Sequence, residues 1–112
     1  MSDVWRITPE KVQAAVERVA EFCSPRKIIL FGSYASGRLH RDSDLDMLVV
    51  MSRSIDNPRK ESVRIRRALK GLLIPMDIVV IEENQLAGLS DVPGLVYREA
   101  VRNGRVVYES AA

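Results

Sequence analysis

Two carboxylates, Asp44 and Asp46, stand two positions apart at the mouth of an apolar run that continues Met47-Leu48-Val49-Val50-Met51. An earlier run, Lys27-Ile28-Ile29-Leu30-Phe31, stops at Gly32-Ser33. This stretch constrains the chain more than any other, because carboxylates are among the last groups a core accepts. Packing gives no reason to set two of them at a strand start. Something must neutralise them, and a divalent cation would do it.

The rest of the composition limits which cation. Cys23 is the only cysteine and His40 the only histidine, so an intrachain disulfide, a cysteine-based zinc site and an imidazole-rich site are all excluded. Oxygen donors remain, and they suit a hard ion such as magnesium or manganese. A net charge of +2 is too small to argue for nucleic acid, and no direct nucleic-acid binding is expected. No apolar segment reaches the roughly 18 residues of a membrane span, and Met1-Ser2-Asp3-Val4-Trp5-Arg6 lacks a signal-peptide core. A cytoplasmic location without membrane contact is therefore expected. At 112 residues, the chain 1–112 is expected to be one domain with its own core.

The order of elements follows from periodicity and punctuation. Thr8-Pro9-Glu10 reads as a helix start, and Val12, Ala15, Val16, Val19, Ala20 and Cys23 recur at helical spacing until Ser24-Pro25. Lys27 to Phe31 reads as a buried strand, and Tyr34 to Arg41 as a single helical turn and a loop. Leu45 to Met51 is the second strand. Its period of two puts Asp44, Asp46, Leu48 and Val50 on one face and Leu45, Met47, Val49 and Met51 on the other. Asn57-Pro58 opens a helix to about Lys70, with Ile65, Leu69 and Leu72 as its buried stripe. Met76 to Ile81 is the third strand, with Asp77 near its start. After a polar stretch, Glu82 to Gln85, a helix is expected from Asp91–Pro93 through Arg102, with Leu95, Val96, Ala100 and Val101 apolar. Asn103-Gly104 marks a turn before a last strand at Val106-Val107-Tyr108. The fold class is α/β, a mixed sheet of about four strands with helices packed on it.

Connectivity explains how distant acids could meet. The helix between the second and third strands is the crossover a parallel pair needs, so both strands begin at one edge of the sheet. Asp44, Asp46 and Asp77 then converge, and Gly32-Ser33 joins them only if the first strand runs antiparallel to the second. Ionising three close carboxylates without a cation is costly. Two magnesium ions can clamp the attacking and leaving oxygens of a phosphoryl or nucleotidyl transfer, and the third acid can accept the attacking hydroxyl's proton.

Other motifs are imitated but not completed. Gly32-x4-Gly37-Arg38 lacks the Lys and Ser or Thr of a phosphate-binding P-loop, having Arg38-Leu39 there. Asp42, Asp44 and Asp46 suggest a calcium loop, but Met47 replaces the required Gly and Arg53 stands where the bidentate Glu belongs. Arg38 and Arg41, between the Gly-Ser pair and the acids, could reach phosphates but read first as solvated loop polarity, as does His40. Cys23 reads as core, and the basic residues from Arg59 to Lys70 as a solvated helix face rather than an RNA or protein docking site. Trp5 is either a lid on the core or a partner contact.

Gly32-Ser33, ten residues, then Asp44-Leu45-Asp46 with apolar flanks resembles the signature of the DNA polymerase beta type nucleotidyltransferase superfamily. The short chain, with its tail Leu95-Val96-Tyr97-Arg98-Glu99 through Asn103-Gly104-Arg105-Val106-Val107-Tyr108-Glu109, is similar to the minimal nucleotidyltransferase branch and to MntA-type antitoxins of HEPN/MNT pairs. That resemblance implies that Gly32 and Ser33 hold the nucleotide, that Asp44 and Asp46 bind magnesium, and that Asp77 is the third catalytic and metal-binding carboxylate. It further implies transfer of AMP from ATP to a tyrosine of a HEPN-domain toxin encoded nearby. The alternative is a non-catalytic module that neutralises such a toxin by forming a complex.

Overall fold

The computed structural model describes residues 6–38 and 43–110. Trp5, Leu39, His40, Arg41 and Asp42, interpreted above from sequence, lie outside the described residues. The elements are α1 (Pro9–Cys23), β1 (Lys27–Phe31), α2 (Gly32–Ser36), β2 (Leu45–Met51), α3 (Pro58–Ala68), β3 (Met76–Glu82), α4 (Glu83–Leu89), α5 (Val96–Asn103) and β4 (Arg105–Glu109).

The helix starts follow their capping residues. Thr8 Oγ1 accepts the Lys11 N–H at 3.2 Å and Asn57 Oδ1 accepts the Lys60 N–H at 3.1 Å, each just before a proline at the first helical position. Ser24, in the left-handed region with φ 47°, ends α1 by returning its N–H to the Ala20 carbonyl.

The sheet is mixed, in the order β3-β2-β1-β4. β2 pairs antiparallel with β1 and parallel with β3, while β1 pairs antiparallel with β4. A right-handed crossover is the common route between parallel neighbours, and α3 supplies its helix. Helices cover both faces. On the first face, α1 and α3 bury Val12, Val16, Val19, Ile65 and Leu69 against Ile28, Leu30, Leu45, Met47, Val49 and Ile78. On the second, Ala100 of α5, with the partly buried Tyr97, Leu86 and Leu89, packs on Ile29, Phe31, Leu48, Val50 and Ile81. Both faces of β2 are therefore covered, and its apolar residues from Met47 to Met51 are no more than 1% exposed. That is why this strand is a near-continuous apolar run, and the parity expected for its two faces is the one observed.

Three expectations need correction. The polar stretch from Glu82 to Gln85 has no element assigned from sequence, but β3 runs through Glu82 and a helix, α4, follows at once. The last helix starts at Val96 rather than near Asp91–Pro93, and it buries only Ala100 fully. Leu95, Val96 and Val101 are 39%, 40% and 46% exposed, since a helix this short on a small second core has one buried position to offer. Glu61, on the helix read as a basic surface, is buried in line with Ile65 and Leu69 at helical spacing. Arg64 Nη1 donates to its Oε1 at 2.9 Å, and Arg53 Nη2 lies 3.6 Å from Oε2. A buried carboxylate persists where such partners hold its charge.

Candidate active site

Backbone pairing brings the acids together. Asp46 stands opposite Asp77 in the parallel β2–β3 ladder, and opposite Phe31 in the antiparallel β1–β2 ladder. The row Phe31, Asp46, Asp77 thus crosses three strands on the second face, where side chains two residues deeper are Leu48, Ile29 and Val79. Asp44 lies one residue before β2. The Leu45 N–H donates to the Pro75 carbonyl at 2.8 Å and fixes the two strand starts to each other. Asp44 and Asp77 are exposed and Asp46 is half-buried.

Gly32 closes the third side. It has φ +75°, a conformation that disfavours any side chain, and a methyl at its Cα would run into Asp46 Oδ2. The glycine therefore serves two needs, a left-handed turn from β1 into α2 and close approach of the backbone to a carboxylate. Ser33 follows in the first turn of α2, so the Gly-Ser pair and the acids share one rim. The antiparallel relation of β1 to β2 required for this is present.

Electrostatics mark Asp46 as the strained member. Burial first, and then the charges of Asp77 and Asp44, raise its carboxyl above the ordinary value. Among the described residues no salt bridge reaches any of the three carboxylates. The donor set is oxygen only, negatively charged and uncompensated, which suits magnesium or manganese. The described residues do not pre-assemble a cluster of three His, Cys, Asp or Glu side chains around one ion position. Magnesium is commonly held by one or two carboxylates with substrate phosphates completing the shell, so the two properties are compatible.

Sequence reasoning missed two neighbours of this rim. Arg66 Nη1 donates to the Met76 carbonyl at 3.1 Å, bracing the start of β3 beside Asp77. Its place near the end of the crossover helix, ten positions before Met76, is the only signal the sequence holds. Tyr97 of α5 packs on the same face as the acids; it falls inside the helix expected there but is not among that helix's expected apolar positions. Arg38, considered above for phosphate contact, is exposed and returns its N–H to the Ser33 carbonyl at 2.9 Å. Among the described residues no helix is long and apolar enough to cross a membrane.

Comparison with known proteins gives one consistent picture. The family description "Polymerase beta, Nucleotidyltransferase" matches residues 13–112. A candidate nucleotidyltransferase from Sulfolobus solfataricus aligns with TM-score 0.61 and 22% identity, covering 89% of this chain and 78% of that one. A candidate minimal nucleotidyltransferase aligns with TM-score 0.58 and 28% identity over 88% of this chain and 95% of that one. A toxin–antitoxin structure with AMP-PNP aligns with TM-score 0.57 and 22% identity over 88% and 74% respectively. No curated protein matches the chain.

Proposed function

The chain belongs to the polymerase beta nucleotidyltransferase family, and from that premise we propose that it transfers AMP from ATP to a hydroxyl of a partner protein, a tyrosine of a HEPN-type toxin, and so acts as an antitoxin in the cytoplasm. The observation that carries this reading is the pairing of Asp46 with Asp77 on adjacent strands while Gly32 lies against the Asp46 carboxylate. The toxin–antitoxin structure with AMP-PNP supports the choice of adenine nucleotide and of a toxin as partner.

Each residue has a task in this scheme. Asp44 and Asp46 present oxygens for a divalent metal, and Asp77 completes the carboxylate set. When bound, magnesium or manganese would offset these charges and those of the triphosphate. Gly32 and Ser33 receive the phosphates, where the glycine lets them approach the backbone. Asp77, exposed at the rim, accepts the proton of the attacking hydroxyl. The hydroxyl oxygen bonds to the α-phosphorus, the bond from that phosphorus to the bridging oxygen breaks, and pyrophosphate leaves.

Mixing the chain with ATP, magnesium and the product of the adjacent reading frame tests this. Mass spectrometry should find one AMP on a tyrosine of that product, and none with the double variant Asp44→Asn, Asp46→Asn. If the folded double variant still protects cells from the toxin, complex formation rather than transfer is the operative function.

A further inference from the structure

The surface of α3 that faces away from the sheet is unlike the rest of the chain. Arg59, Lys60, Arg64 and Arg67 are all exposed along it, exposed Arg66 (bonded to the Met76 carbonyl) and Lys70 (past the helix end) lie beside them, and the single acid, Glu61, is turned inward and paired. Arg59, Lys60 and Arg67 make no ion pair among the described residues. Between the cations sits exposed Val63, and with Asn57, Arg59, Lys60, Arg64 and Arg67 it lines a shallow groove of about 440 Å³. On the α1 side of that groove, the Arg64 guanidinium lies over the exposed Phe22 ring, 5.3 Å from its centroid. From Arg59 to Arg67 the face extends about 12 Å, just over two helical turns.

We propose that this groove docks an acidic amphipathic helix of a partner protein, its carboxylates on the α3 cations and its apolar side on Val63 and Phe22. Charge complementarity selects an acidic occupant, and the apolar residues select protein over nucleic acid. A phosphate backbone offers nothing to cover a valine and a phenylalanine, whereas an amphipathic helix laid in a groove covers both. Arginine beside an aromatic ring is also a frequent composition at protein interfaces. α3 packs on the first face of the sheet and the Asp46–Asp77 row lies on the second. The groove therefore holds a partner without occupying the carboxylate rim. This rests on the reading that the chain acts on a protein, and it adds where that protein is gripped.

The test uses fluorescence anisotropy with three labelled probes: a synthetic amphipathic helix with leucines flanked by glutamates, the same peptide with lysines for glutamates, and a single-stranded RNA. The acidic peptide should bind. Lys60→Glu with Arg67→Glu should weaken it about tenfold at low salt, and Val63→Ser should weaken it with the charges intact. Both variants leave Arg64 and its contacts with Glu61 and Phe22 in place, and their melting curves verify folding. The proposal is overturned if none of the probes binds, if RNA binds more tightly than the acidic peptide, or if the charge-reversed variant binds as the parent does. Asp46→Asn should bind the peptide unchanged, so failure of AMP transfer and failure of docking are read separately.

Discussion

Asp46 and Asp77, thirty-one positions apart, face each other across two parallel strands, and no cation offsets the charge between them among the described residues. Adjacent strands run about 4.8 Å apart, so the two carboxyls share one small volume. An arrangement that costs stability persists where it serves another purpose, and the metal and phosphate binding proposed above would be such a purpose.

Asp46→Asn separates that cost from its use. The Asp46 carboxyl lies above its ordinary value in the folded chain, so in the window between the two values the folded state holds the extra proton. Stability then falls as pH rises through the window, and at neutral pH the ionised group is a net cost. Without divalent metal, the variant should melt a few degrees higher than the parent at neutral pH, the gap closing as pH drops to the ordinary carboxylate value. Magnesium should raise the melting temperature of the parent alone, measured by differential scanning calorimetry.

Gly32→Ala tests the close approach. The added methyl meets Asp46 Oδ2, and φ +75° is strained for alanine. A left-handed conformation alone costs about 1–2 kcal/mol, and displacing the carboxylate adds to it. Denaturant unfolding should show a loss of at least that order. Gly37→Ala, also at positive φ but with open space around its Cα, should lose only the conformational part.

Cys23 should behave as core. Burial, aided by the Glu61 charge, pushes its thiol up to about 11, and its Sγ–H donates to the Val19 carbonyl at 3.3 Å. The thiolate needed for alkylation is scarce at pH 8. Iodoacetamide should label the folded chain far more slowly than the urea-unfolded one, followed by mass shift. The folded state holds the thiol proton from 9.0 to about 11, so stability should decline as pH rises through that window.

Much of this was legible in the sequence, for reasons that differ by element. α1, β1 and β2 begin where their capping and apolar signals put them, because each has a strong period and an unambiguous stop. The parity of β2 placed Asp46 with Leu48 and Val50, and the crossover placed Asp77 beside it. α4 was illegible because its first residues, Glu83, Asn84 and Gln85, are polar, and its anchors Leu86 and Leu89 make sense only once the second face of the sheet exists. Glu61 was hidden among arginines that turned out to be its partners. Contact of Gly32 with Asp46 follows from backbone approach, which residue type alone does not encode.

The most direct measurement follows the phosphorus. The chain, its partner and magnesium are incubated in parallel with ATP labelled on the α-phosphate and ATP labelled on the γ-phosphate. Label on the partner from the α-position only, lost in Asp77→Asn, is the expected result. Transfer of the γ-label, or equal α-labelling by Asp77→Asn, would contradict nucleotidyl transfer at this site.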